Sequence, residues 1–329
     1  MRTAASNLSV STSGRPRFGL CCTFHEEPIR FRTTTARFAA TLKPRERRAH
    51  LQAIALHNAT TLARGIRWCA DHDIGAFRVT SRMLPLRTHG ELGYDLEAID
   101  RRGAVVNALR DAGALAVAHG LRLSFHPDQF VVPGSAREEV VRSSLAELEM
   151  LAELAALIGA EQLTIHGGGA HDGKRAALDR LARGVGRLSA RARERLVLEN
   201  DDRVYTVRDL LPVCQGEGLP LVYDVHHHRC NPDGLGEDEA TDAAAATWGK
   251  REPWVHLSSP REGWTGKDPR HHADYISLKD VPAGWLSRRM TIDVEAKAKE
   301  LAVVALKERW PSSARRRPRR RSTRRDLTR

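Results

Sequence analysis

Short apolar runs alternate with longer amphipathic stretches along most of the chain. Runs of strand length, rich in Val, Leu, Ile and Phe, fall at 17–22, 75–80, 121–126, 161–166, 195–200, 219–225, 253–258 and 290–295. Helical periodicity fills 44–72, 96–119, 137–157, 174–190, 206–215, 237–247 and 297–310. The stretches 24–35 and 263–283 read as polar loops. Strands alternating with helices predict βα units and a parallel sheet. Eight such units predict an α/β fold closed as a TIM (β/α)8 barrel. An open doubly wound sheet is the competing arrangement.

The polar residues that end these runs change the picture. Six successive runs finish on a carboxylate or an imidazole: His126, His166, Glu199, Asp224, His256 and Glu295. In a barrel the carboxyl ends of the strands open on one mouth, so the six converge there. In an open sheet, ligands from six consecutive strands would not meet. A single histidine in a strand is more often a hydrogen-bonded core residue than a ligand. Glu199 and Glu295 are different, because a carboxylate at the end of an apolar strand is costly to bury unless paired or metal-bound. Six such residues in equivalent places favour a metal centre. His226, His227 and His228, read as strand residues, point alternately to opposite faces, so one or two of them would serve.

Mixed imidazole and carboxylate donors suit zinc, manganese or iron rather than calcium. The donors outnumber one four-coordinate site, which implies two or more ions. Neighbouring ions suit displacement at a phosphate ester, where attacking and leaving oxygens both carry charge. Gly167, Gly168 and Gly169 either let a phosphate backbone approach or make a strand-to-helix turn.

Charge adds little about the folded body. The net charge is +12, but 307–329 holds eleven Lys or Arg against Glu308 and Asp326 and so accounts for nine of it. That basic tail reads as disordered, either a phosphate contact or a solvated extension. The first 16 residues, small and polar, read as a disordered extension without a signal-peptide core, and no run is of transmembrane length. Five cysteines without CxxC spacing suit a reducing compartment and buried packing. The cytoplasm is the expected location, at the nucleoid when on DNA.

Ordered motifs across 17–306 resemble the UV damage endonuclease family. They are Arg17-Phe18-Gly19-Leu20-Cys21-Cys22, the stretch from Glu26-Glu27-Pro28 through Arg30 and Arg32 to Thr35, Phe77-Arg78-Val79-Thr80-Ser81, and Arg122 through His126-Pro127-Asp128-Gln129-Phe130. Glu199-Asn200-Asp201, Asp224-Val225-His226-His227, Val255-His256-Leu257-Ser258-Ser259, His272-Ala273-Asp274-Tyr275 and Glu295-Ala296-Lys297-Ala298-Lys299-Glu300 continue the series.

The resemblance implies one endonuclease IV-like barrel domain over 17–306. It also implies a divalent metal cluster, manganese being typical, of two or three ions, with zinc or magnesium as alternatives. By matching position the metal ligands would be His89, His126, His166, Glu199, Asp224, His227, His256, His272 and Glu295. Glu199, Glu295 and His256 would be catalytic. Gln129 and Phe130 would probe the lesion, where the family commonly carries tyrosine at the second position, and Arg30 and Arg32 would contact DNA. The implied reaction is incision of damaged double-stranded DNA 5′ to UV photoproducts by a monomer. One departure stands out: the family carries a modified, metal-linked lysine two residues before the seventh-strand histidine, and here that residue is Trp254. An abasic-site endonuclease on the same barrel, a sugar isomerase or epimerase, and a DNA-binding protein with a decayed site are the rival readings.

Overall fold

The structure, a computed structural model, describes residues 14–311. The expected disorder of the amino-terminal extension and most of the basic tail lie outside that range. Eight parallel strands close into a barrel in chain order: β1 (Arg17–Cys21), β2 (Ala76–Val79), β3 (Arg122–Phe125), β4 (Gln162–His166), β5 (Leu196–Glu199), β6 (Leu221–Asp224), β7 (Trp254–Leu257) and β8 (Thr291–Val294). Closure is made by β1 pairing with β8, Gly19 opposite Asp293. The expected (β/α)8 barrel is therefore the fold, and the open sheet is excluded.

The strands read as apolar because alternate residues face the helices. Phe77 and Val79, Leu123 and Phe125, Leu163 and Ile165, Leu196 and Leu198, Leu221 and Tyr223, and Ile292 and Val294 are all buried in one continuous core. They meet helical stripes such as Leu51, Ala55, Leu62, Ile66 and Cys69 of the Pro44–Asp71 helix. The remaining alternate positions point into the barrel. Register places Cys21, Arg78, Ser124, Thr164, Glu199, Asp224, His256 and Asp293 on that inner face.

Trp254 sits on this inner face, two residues before His256. It is fully buried with Ala76, Val197, Val222 and Trp248. The Arg122 guanidinium lies 4.2 Å from its ring centroid, a cation–π contact. The indole thus forms the barrel floor beneath the histidine.

Two expectations, one of a helix and one of a strand, are corrected. The stretch 96–119 is not one helix but Leu96–Ile99 and Ala104–Ala118, with Gly103 in the left-handed region between them. Buried Asp100 restarts the helix by accepting from Val105 N at 2.9 Å and Val106 N at 3.0 Å. The run 225–230 is a short helix, Val225–Cys230, capped by Asp224 and not an extension of the strand. A further helix, Ala36–Thr41, follows the polar loop, with the Thr35 side chain accepting from Phe38 N. The last helix, Glu300–Arg309, is followed by Trp310, whose ring packs edge-on to Phe18 at 4.9 Å. All five cysteines are free; Cys21, Cys69 and Cys214 are buried, and burial pushes the Cys214 thiol up to about 12.

Candidate metal centre at the barrel mouth

Glu199 is the hub. It ends β5, is fully buried, and is surrounded by imidazoles from four other segments. His126 Nε2 lies 2.8 Å from Oε2 and His256 Nδ1 lies 2.8 Å from Oε1. His227 Nδ1 is 3.4 Å from Oε1, and His166 Nε2 is 3.8 Å from Oε2. Burial alone would drive this carboxyl towards its neutral form. The imidazoles of His256, His166 and His126 outweigh that and hold it well below the usual carboxylate range. Burial lowers the His166 pKa, which favours the neutral form a metal ligand needs. Burial works the same way on His227, but Asp224 and Glu199 override it and raise its pKa.

Three sets of donors lie close enough to hold an ion: His126, Glu199 and His256; His166, Glu199 and His227; and Asp224, His256 and Glu295. Glu199 belongs to two sets and His256 to two, so the sets form one connected cluster. Seven of the nine anticipated ligands are thereby brought together. His272 stands at the edge, its Nδ1 3.8 Å from Glu295 Oε2. It arrives there because the β7–β8 loop folds back on itself, with Pro260 and His272 paired in an antiparallel bridge. His89 belongs to none of the three sets. Its Nδ1 accepts from Glu91 N and Leu92 N, both at 3.2 Å.

The donor atoms fit divalent ions. His126 lies between two acceptors, Nε2 2.8 Å from Glu199 Oε2 and Nδ1 3.2 Å from the Pro127 carbonyl; an ion at Nε2 would leave the ring proton on Nδ1, facing that carbonyl. Asp224 Oδ2 and His166 Nδ1 are buried without hydrogen-bond partners, and an unpaired buried polar atom is costly. His227 Nδ1 donates to the Asn200 carbonyl at 2.9 Å, which leaves Nε2 as its free donor atom. Asn200 also ties β5 to β6, exchanging hydrogen bonds of 2.9 Å with the Asp224 backbone.

Of the three consecutive histidines only His227 enters the cluster. His228 turns away to the Tyr223 hydroxyl at 2.7 Å, and His226 packs against Trp264 and His272. The cause is the helical turn: residues 226–228 spread around an axis and do not alternate across a strand.

Sequence reasoning missed two residues beneath the cluster. Arg78, buried on β2, is 2.9 Å from Asp293 Oδ2 and 2.5 Å from Glu295 Oε1, and its Nη2 donates to His256 Nε2 at 2.8 Å. Asp293 is buried, with Oδ1 lacking a hydrogen-bond partner. A β-carbon at position 19 would collide with that oxygen, so Gly19 is what makes room for it. The available signal was two-residue alternation on β8, which puts Asp293 and Glu295 on one face.

The cluster opens onto a cavity of about 670 Å³, lined by His126, Gln129, Phe130, His166, Gly169 and His227 among others. Phe130 is 75 % exposed at its rim. The three glycines divide the work. A side chain at Gly167 would strike Tyr205, Gly168 has φ +83°, and a side chain at Gly169 would meet nothing within 4 Å. The first two therefore make the turn, and the third leaves the cavity open.

Arg30, expected to contact DNA, lies within the loop after β1. It donates to the carbonyls of His25 at 2.9 Å, Ile29 at 3.3 Å and Glu27, so it first holds its own loop. Arg32 is exposed, and its backbone is clamped by buried Asn58, with Arg32 N donating to Oδ1 at 2.8 Å and Nδ2 donating to Arg32 O at 2.9 Å.

Fold and site together define a class: a closed parallel barrel that gathers histidines and carboxylates at its carboxyl mouth into connected groups that could hold metal. Endonuclease IV from Thermus thermophilus shares that fold, with a TM-score of 0.57 at 18% identity over 90% of this chain and 98% of its own. The chain matches the UV-endonuclease UvdE family over residues 16–316 and belongs to it. It is 32% identical over 273 residues to a UV DNA damage endonuclease of Bacillus thuringiensis subsp. konkukian (strain 97-27), covering 80% of this chain and 84% of that relative. Its structure is similar to the crystal structure of SacUVDE, with a TM-score of 0.76 at 29% identity, covering 89% of this chain and 99% of that one.

Proposed function

We propose that this protein hydrolyses a phosphodiester of damaged double-stranded DNA on the 5′ side of a UV photoproduct, with two or three divalent ions held at the barrel mouth. Manganese is the expected ion, and zinc or magnesium are alternatives. The observation that carries the proposal is the connected donor cluster around Glu199 beside the exposed pair Gln129 and Phe130. Bound ions of this kind stabilise the charge on both the attacking and the leaving oxygen of a displacement at phosphorus.

The protein's own residues do the rest. Glu199 joins two donor sets and fixes the spacing between them. His256 takes its orientation from Arg78 on one nitrogen and Glu199 on the other. Glu295 links the cluster to His272 at the mouth. Phe130 presents an aromatic face that can wedge into an already poorly stacked dimer, with Gln129 beside it as the polar partner. Arg32, exposed on the loop after β1, would contact the duplex backbone. His89 would reach an ion only by giving up its turn contacts.

An abasic-site endonuclease uses the same barrel and is separated by substrate choice. A sugar isomerase would not need the exposed Gln129 and Phe130 at the rim. The test is Glu199→Gln, which keeps shape and removes charge. Calorimetric titration with manganese should show at least one binding event lost or weakened ten-fold or more. Incision should fall by at least a thousand-fold, with the far-ultraviolet circular dichroism unchanged. Native-like manganese binding and incision in this variant would overturn the assignment of the centre.

A further inference from the structure

Lys297 and Lys299 follow Glu295 on the segment that leaves β8, and the reaction as described does not use them. They line a cavity of about 320 Å³ together with Cys22, Arg78, Arg270 and Glu295, within the size of a small ligand pocket. Arg78 and Glu295 also belong to the metal centre, so this cavity adjoins it on the β8–β1 side.

The cations of this cavity are not equivalent. Arg78 is taken up by Asp293, Glu295 and His256. Arg270 is held by Asp268 through contacts of 2.7 and 3.0 Å, with Asp202 at 4.0 Å. Lys297 and Lys299 form no ion pair among the described residues, whereas their backbones are fixed. Lys297 N donates to Ala273 O at 3.0 Å, and Lys299 O accepts from Ala302 N and Val303 N at 3.1 and 3.2 Å. Glu295 is the one carboxylate in the wall, and Arg78 compensates its charge.

Backbone conformation singles out the same place. Lys299 has φ +50° and ψ −119°, and Cys22 across the cavity has φ +65°. A residue with a β-carbon pays for such angles and glycine does not. A lysine kept at a glycine-favouring position, with its ammonium unpaired beside a metal centre, is a charge retained at a conformational cost.

We propose that Lys297 and Lys299 form a phosphate-binding subsite that grips a DNA backbone phosphate neighbouring the one to be cut. This rests on the DNA endonuclease reading above for the identity of the anion. The subsite fixes the register of the strand across the mouth, so that the scissile phosphate is presented to the Glu199 cluster.

The test is the salt dependence of binding to an undamaged duplex, measured by fluorescence anisotropy with the full chain in manganese. Lys297→Ala and Lys299→Gly are compared with wild type, and thermal unfolding is followed in parallel. Each lysine that neutralises a phosphate contributes about 0.9 to the slope of log affinity against log salt. Each variant should lower the slope by about that amount and weaken binding several-fold at ~0.15 M salt. Lys299→Gly should unfold at the same or a higher temperature, because glycine relieves the backbone. An unchanged slope in either variant, or a change matched by a lower unfolding temperature in Lys299→Gly, would overturn the subsite. Wild-type incision of a dimer-containing duplex, assayed alongside, separates the two readings. Incision with unchanged slopes removes only the subsite, and lowered slopes without incision remove only the endonuclease reading.

Discussion

Arg78 shows how single residues govern this centre. Its guanidinium sits among His256, Asp293 and Glu295, all buried or nearly so. Removing one partner of a buried charge group leaves the others uncompensated, which costs about 3–5 kcal/mol. Arg78→Met should therefore destabilise the metal-free protein by about that much in urea unfolding, and adding Asp293→Asn should recover part of the loss. A loss below about 1 kcal/mol would mean that the pair is not held as described. The candidate ligands themselves were largely legible in the sequence, because a carboxylate or imidazole that ends an apolar strand has little reason to be there except a partner. Arg78 and Asp293 were not. Each lies inside a strand, where its meaning depends on which face points inward, and the apolar neighbours give no sign that the inner face is polar. The choice among His226, His227 and His228 was also hidden, because it turns on Asp224 capping a helix where a strand was expected.

At the scale of elements, the loops that frame the mouth are held by buried polar side chains. Glu300, at the start of the last helix, accepts from His25 N, Glu26 N and Glu27 N at 2.5, 2.6 and 3.1 Å and anchors the loop after β1. Burial works against its charge, but these backbone donors prevail and lower its pKa. Its contribution to stability is then full above the unfolded-state value of about 4.3 and is lost as pH falls through the lower folded-state value. Glu300→Gln should lower stability by about 1–3 kcal/mol at pH 7. It should also flatten the acid limb of the stability curve below about pH 4.3 relative to wild type. A variant whose stability follows wild type in parallel through that range would contradict the anchoring role. Strands and most helices were legible because their periods differ. The break at Gly103 was hidden, because a buried Asp100 that restarts a helix looks like an ordinary polar residue of one continuous helix. The Ala36–Thr41 helix was hidden by its length, too short to show a periodic face.

For the whole molecule, closure of the barrel turns a series of strand ends into a site. Gly19 lies opposite Asp293 across the closing pair, so the last strand delivers its carboxylates next to Arg78 of the second. Below them Trp254 fills the floor with an indole where the family resemblance implied a lysine, and the cluster above is assembled from other donors. The tightest test of the proposed function is incision itself. Purified protein with manganese would be given a duplex carrying one defined cyclobutane dimer, beside undamaged and abasic duplexes and an EDTA control, and the products mapped on a sequencing gel. A metal-dependent nick immediately 5′ to the dimer, absent from the undamaged duplex, is the expected result. Folded protein with manganese bound that leaves the dimer duplex intact, or cuts only the abasic one, would contradict it.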